Sequence, residues 1–493
     1  MPEAASPYES VVYPGYAYPQ THPDQTAALA HLCGLTPAPL ENCRVLEVGC
    51  GDAANLIPMA FDLPRASFRG FDLAESSIDR GKKLVREAGL TNLTLEQLDI
   101  LDAPEYLGEF DYIIAHGFYS WVPPSARDKL FAICRASLAP QGIAFVSYNT
   151  MPGGHIRRMV REMMLFHIER AHDPEKRINQ ARALLGFLRQ ICHGDDAYQR
   201  ILKEELERVY KYPPGYLYHD DLSPFNDPVY LHEFVSHASG YDLQFLGDLN
   251  SSFVHLSNID EVSAQALREL EGDAVLREQY LDFASCRRFR QTLLCRTGLA
   301  VTQHLTLERL GALLVSSPAV PASGKTELGS DEEEEFRTPR NASLKTSHPV
   351  MKAAMASLFS AWPERLAFDR LRETVAKLLD VPSDSITDTL RQGVAFGFSM
   401  RVVELHFHAT RATSHPAGYP KTTALVRLQA SKGNSFLTNL NHETVKVAAD
   451  TLNLLPLLDG SRSLQGLAEE LHASVVDLSA VLSQLARMAL IEE

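Results

Sequence analysis

Between Arg44 and Tyr148 the chain alternates short apolar runs with stretches whose apolar residues recur at helical spacing. The runs predict strands at Arg44–Val48, Ser67–Phe71, Leu93–Leu98, Asp111–Ala115 and Ile143–Tyr148. Helices are expected between them, near Asn55–Leu63, Ser76–Ala88 and Ser125–Leu138. Five such strands read as an open, doubly wound α/β sheet. The alternation then stops. Residues 155–212 (HIRRMVREMMLFHIERA, INQARALLGFLRQIC) are amphipathic and helical with no strand between them. The strand pattern resumes at Asp242–Leu246 and Phe289–Cys295, enough for two more strands, the last antiparallel. Residues 155–226 then form a helical insertion over the carboxyl edge of the sheet, where open α/β sheets bind ligands.

The flanks read differently. Residues 1–43 hold a Tyr/Pro-rich arm (Tyr8, Tyr13, Tyr16, Tyr18) and a first helix. The arm fits two readings: an extended segment packed on the domain, or an aromatic lid over a ligand. Residues 301–349 are expected to be a linker, since 316–349 are Pro/Ser-rich and carry the acidic run Asp331–Glu335. The expected catalytic core is therefore 44–154 with 227–300, and 350–493 form a C-terminal domain. That domain contains two weakly similar helix–turn–helix–strand units, the pattern of winged-helix-like modules. Their second helices, TDTLRQGVAFG and SAVLSQLARMA, lack the Lys and Arg that DNA recognition needs. Protein interaction or homodimer formation is the expectation for them.

Composition narrows the class. At 493 residues the chain exceeds one hydrophobic core. A formal net charge of -15 argues against broad binding to nucleic acid or anionic membranes. Seven cysteines without a C-x-x-C pair argue against disulfide frameworks and zinc knuckles, and no metal site is expected. Neither a secretory leader nor an apolar run long enough to span a bilayer is visible, so a cytoplasmic location is expected.

The chemistry concentrates in VLEVGCGDAANL. A strand ends in Glu47, and Gly49 and Gly51 then turn the chain into a helix, so that backbone can approach a ligand closely. G-x-G alone is weak evidence. An acid two residues ahead suits the cationic amino group of a methionine moiety and would repel a pyrophosphate. That arrangement is typical of S-adenosylmethionine enzymes. Ala53 stands where a third glycine is usual, which predicts a slightly wider turn. Cys50 and Asn55 complete the turn. Asp72, with Leu73, ends the second strand and suits the ribose hydroxyls, while Asp99 and Ile100 suit the adenine. After the fourth strand, His116 and Gly117 are expected along the methionine part. Tyr119, Ser120 and Trp121 are the candidate catalytic residues, seating a nucleophile and its alkyl stem. Trp121 is also readable as a core anchor, and Tyr119 as a helix cap. Tyr16, Tyr18, Asn149, Asp220 and Asp221 are candidate substrate contacts. The last two lie in YLYHDDLSPFNDPVYLHEF, readable as a substrate wall or as a polar elbow.

Together these segments, with YPGYAYPQTHP, HGFYSWVP, SYNTMPGG, RRFRQTLLCR and FLTNLNHETV, resemble the bacterial methyltransferases that carry a methyltransferase regulatory domain. The rickettsial protein-lysine methyltransferases are the best-known members. The resemblance implies a Rossmann-like class I methyltransferase core with a seven-stranded sheet, a helical (regulatory) middle and an α+β winged-helix-like C-terminal domain. It also implies S-adenosyl-L-methionine as cofactor and lysines of outer-membrane surface proteins as acceptors. The residues themselves leave two other functions open: a small-molecule methyltransferase, and a non-catalytic cofactor sensor, the latter favoured only by Ala53.

Overall fold

The computed structural model describes residues 10–249, 265, 270, 272–302 and 304–493. Tyr8 in the arm, and residues 250–264 of the expected core, lie outside the described residues.

Seven strands build the central sheet: β1 (Arg44–Val48), β2 (Ser67–Asp72), β3 (Leu93–Gln97), β4 (Phe110–Ala115), β5 (Leu138–Asn149), β6 (Leu243–Asp248) and β7 (Phe289–Arg296). Their order is β3-β2-β1-β4-β5-β7-β6. β1 to β5 run parallel, and β7 is antiparallel to both β5 and β6. The apolar runs are continuous because both faces are covered: every residue of β4 is buried. Val45 packs on one face with Leu56, Ile57 and Ile78, while Leu46 and Val48 pack on the other with Leu130, Phe131 and Phe234. The strand order reverses between β1 and β4, which opens a crevice at their carboxyl ends.

Above that edge lies a helical layer: Gly154–His167, Pro174–Ile191, Ala197–Tyr210 and a π-helical turn, Leu217–Asp221. It has its own core of Val160, Met164, Leu185, Leu206 and Leu217. Beside it, the Arg290 guanidinium of β7 is fully buried against Asp282, Glu278 and Asp248.

The segment expected to be a linker is folded. Val320–Pro321, Glu334–Arg337 and Ser343–Thr346 form a three-stranded antiparallel sheet with Phe336 and Leu344 buried. Leu314–Ser316 is the central strand of another sheet, between Leu366–Ala367 and Glu404–His406. The first C-terminal unit therefore takes its middle strand from residues read as linker. Its helices are Pro349–Ala361, Phe368–Leu379 and Thr387–Ser399. The second unit packs Ala424–Ser431, Leu464–Glu470 and Val475–Arg487 around a separate core. No helix among the described residues is long and apolar enough to cross a membrane.

Candidate active site

The crevice is a cavity of about 1060 Å³ whose walls come from four regions: the arm, the glycine turn, the strand ends and the helical layer. The glycine turn is tight. Gly49, Gly51 and Ala53 all take left-handed backbone, with φ of 71°, 55° and 59°. Ala53 thus adopts the conformation a glycine would, so the wider turn expected from the sequence is not found. A Cβ on Gly49 would come within 2.9 Å of the Phe118 ring.

Glu47 ends β1 beneath the turn and is 4% exposed. Its Oε1 accepts a hydrogen bond from Asn55 Nδ2 at 2.8 Å, whereas Oε2 has no partner among the described residues. Burial, with Asp72 and Asp52 nearby, raises its pKa to about 8. Asp72 accepts from the amides of Gly51 and Ala74, each at 2.9 Å, and so ties β2 to the turn. Asp99 Oδ1 accepts from the Leu101 amide. Gly49, Cys50, Gly51, Asn55, Asp72, Leu73, Asp99, Ile100, His116 and Gly117 all line the cavity, as Glu47 does. His116 bonds through Nδ1 to Ser147 Oγ, and burial lowers its pKa to about 4, so its ring is neutral.

The arm forms the roof, and Tyr13, Gly15, Tyr16, Tyr18 and Gln20 face the cavity. A Cβ on Gly15 would run into Asp52 and Ala54, so glycine allows the arm to cross the turn. Tyr13 packs edge-on to Tyr216, Tyr16 stacks parallel to it, and Tyr18 lies 4.2 Å from the His116 ring. His219 Nε2 bonds to the Val11 carbonyl and pins the arm to the π-helical turn. That turn presents Tyr216, Tyr218, His219 and Asp220 to the cavity. Asp220 is partly buried, its side chain 19% exposed, and desolvation raises its pKa to about 7 although Arg157 stands 3.9 Å away.

Three candidates are placed differently from expectation. The Tyr119 hydroxyl is bonded to His237 Nδ1 at 2.9 Å, and its ring packs on Phe131, Tyr148 and Phe234, away from the cavity. Ser120 is fully buried, and its Oγ accepts from the Asn149 amide. The short 3-10 turn Tyr119–Trp121 points its first two side chains into the core, so only Trp121 lines the cavity. Trp121 Nε1 is a buried donor without a partner among the described residues. Asp221 is held by Arg157 in a two-pronged pair (2.8 and 3.1 Å) behind the wall. Asn149, Tyr16 and Tyr18 are at the cavity as expected. Sequence reasoning passed over Tyr216, which opens the YLYHDD segment, and Phe289, the first residue of β7; both line the cavity.

Comparison with known proteins agrees with this architecture. Residues 45–142 match the model of a methyltransferase domain, and 213–296 match a predicted methyltransferase regulatory domain. The regulatory match therefore takes in only the last part of the 155–226 insertion expected to carry that role, the π-helical wall, and runs on through β6–β7. Residues 418–489 match the C-terminal winged-helix domain of PKMT. An uncharacterized Rickettsia prowazekii protein is 33% identical over 482 residues, covering 95% of this chain and 86% of that protein. A second protein from the same organism is 37% identical over 232 residues, covering 47% of this chain and 93% of its own length. The structure of PKMT2 from Rickettsia typhi, also solved in complex with AdoHcy, superposes with a TM-score of 0.86 at 27% identity. It covers 97% of this chain and 100% of the PKMT2 chain. The chain belongs to the bacterial class I S-adenosylmethionine-dependent methyltransferases that carry a methyltransferase regulatory domain, the family of the rickettsial PKMT proteins.

Proposed function

We propose that the protein transfers a methyl group to lysine side chains of a protein substrate. The observation that carries this reading is one cavity lined both by a buried, half-satisfied carboxylate (Glu47) and by a partly buried second carboxylate (Asp220) among aromatic rings.

The residues suit S-adenosylmethionine. Glu47 Oε2 has no partner among the described residues, and a cationic amino group beside it would hold the carboxylate ionised and donate to it. Asp72 and Asp99 stand at the next two strand ends for the ribose and adenine, and Ile100 and Leu73 give apolar contact. Bound there, the cofactor supplies an electrophilic methyl on a sulfonium. The chain's own residues prepare the acceptor. Tyr16, Tyr18, Tyr216, Trp121 and Phe289 provide an aromatic channel for an alkyl stem, and the Trp121 N–H is free to donate to a peptide carbonyl. A lysine amine must lose a proton before its lone pair can attack. Asp220, with a pKa of about 7, takes that proton from the ammonium. Desolvation in the aromatic channel lowers the amine's own pKa and assists the transfer.

The sensor reading rested on Ala53, and the turn that Ala53 closes is intact. Incubation with isotopically labelled cofactor and host lysate, followed by peptide mass spectrometry, tests the lysine assignment. Label on lysine Nζ is the expected result; label confined to small molecules overturns it.

A further inference from the structure

The tip of a hairpin in the second C-terminal unit reaches Asn55, a residue of the cavity wall, from the side away from the cavity. Its strands are Phe436–Thr438 and Thr444–Lys446, and between them lies NLNHE, residues 439–443. His442 is buried there, and its Nε2 lies 2.9 Å from Asn55 Oδ1. Asn55 is the residue that holds Glu47.

The hydrogen-bond accounting at Asn55 closes completely. Nδ2 donates to Glu47 Oε1 (2.8 Å) and to Thr21 Oγ1 (2.9 Å). The Thr21 hydroxyl spends its one proton on the Tyr18 carbonyl, 2.8 Å away. Oδ1 accepts from the Tyr18 amide (3.0 Å) and from His442 Nε2–H. Two donors and two lone pairs are all used, which is the full capacity of a carboxamide. A flipped amide would set NH₂ against the Tyr18 N–H. Although Asn55 sits at the N-cap of the helix Leu56–Asp62, its side chain caps nothing there. It is committed instead to Glu47 and to the two segments above it.

His442 is itself held firmly. It has a left-handed φ of 59°. Asn439 accepts from the amides of Asn441 and Glu443 and donates to the Met488 carbonyl, and the Leu440 amide donates to Ala489. Non-glycine residues keep such backbone only where surrounding structure fixes it, commonly at functional positions.

We propose that His442 is a positioning residue of the cofactor site, through which the C-terminal winged-helix domain orients Asn55 and so keeps Glu47 Oε2 turned toward the cofactor's amino group. The domain is thus a part of the binding site. The inference rests on the assignment of Glu47 to that amino group, and the experiment separates the two.

Isothermal titration of the full-length protein measures two ligands: S-adenosylhomocysteine, which carries the amino group, and 5′-deoxy-5′-methylthioadenosine, which lacks it. Losing one hydrogen bond to the network predicts that His442→Ala weakens S-adenosylhomocysteine about tenfold and the thioadenosine less than about twofold. His442→Gln, which restores an N–H donor, should recover most of the loss, with circular dichroism checking the fold of each variant. Equal weakening of both ligands, or of neither, overturns the role of His442. Glu47→Gln must show the same selectivity more strongly; if it does not, the Glu47 assignment fails and the inference falls with it.

Discussion

A buried carboxylate with a raised pKa is a cost that the cofactor removes. Without a cation beside it, Glu47 prefers its protonated form up to about pH 8, while in the unfolded chain it ionises near 4.5. The folded protein therefore holds the extra proton between those values, and this contribution to stability is lost as pH rises through the window. Glu47→Gln should accordingly raise the melting temperature of the ligand-free protein at pH 8 and change it little near pH 4.5. The same variant should abolish the preference for S-adenosylhomocysteine over its amino-less analogue. For the wild type, affinity should climb by up to about tenfold per unit from pH 6 toward 8, as Glu47 ionises. Elsewhere on the cavity wall, Asp220→Asn should lower kcat on a lysine peptide by about 10²- to 10⁴-fold and leave S-adenosylhomocysteine binding unchanged. The pH–rate inflection near 7 should disappear with it. Tyr119→Phe removes only a hydrogen bond to His237 in the core, so kcat should stay within about threefold while stability falls by about 1 kcal/mol in urea titration. The cavity placement of Glu47, Asp72 and Asp99 was legible in the sequence because each stands at, or within two residues of, the carboxyl end of a strand. The tyrosine was misread because its direction is set by a 3-10 turn of three residues, which periodicity cannot resolve.

At the scale of elements, the strands of the core were legible because both faces are buried and their apolar runs are unbroken. The segment 316–349 was not, for an equally physical reason. Its strands are two to four residues long, and the acidic run has no apolar alternation. What orders it lies elsewhere: Lys352, buried in the helix Pro349–Ala361, donates through Nζ to the carbonyls of Ser330 and Glu332. A buried ammonium needs such acceptors, and a segment of backbone carbonyls supplies them regardless of side-chain type. Phe336 then packs into the same core as Met355 and Leu358. Phe336→Ala should cost about 3–5 kcal/mol, since it opens a cavity in that core. Replacing Asp331 and Glu333 with alanine should cost less than about 0.5 kcal/mol, because these side chains are exposed. Denaturant midpoints of the two variants measure the contrast, and equal midpoints would restore the reading of a solvated linker.

At the scale of the whole molecule, the catalytic sheet and the C-terminal units meet on polar contacts between residues far apart in the chain. Asp24, in the first helix, accepts from His406 Nδ1 at 2.7 Å, from the amides of Phe407 and His408, and from Arg365 at 3.1 Å. His442 meets Asn55 across 387 positions. No local pattern announces such pairings. The junction is built on neutral imidazoles. Burial lowers the pKa of His22, His406 and His442, with His406 brought to about 4, and Arg365 adds to the effect on His22 and His406. These rings are neutral when folded and take up protons near 6.5 once exposed. Stability is therefore intact above that value and is lost as pH falls from about 6.5 toward 4, by up to about 1.4 kcal/mol per pH unit for each ring. Asp24, whose own pKa is depressed by Arg365 and His406, contributes above its ordinary range and weakens only at still lower pH. Glu47 acts in the opposite direction, and the Glu47→Gln variant isolates its share. Urea midpoints should therefore hold above about pH 6.5 and fall steadily from there toward pH 5, with uptake of about two to three protons on unfolding, and the C-terminal domain should become susceptible to limited proteolysis before the central sheet does. Because His442 joins the junction to Asn55 behind the cavity wall, S-adenosylhomocysteine affinity should decline over the same interval more steeply than Glu47 protonation alone requires. A decline that matches one proton only would mean that the junction stays closed in mild acid and that its histidines are coupled to packing but not to the site.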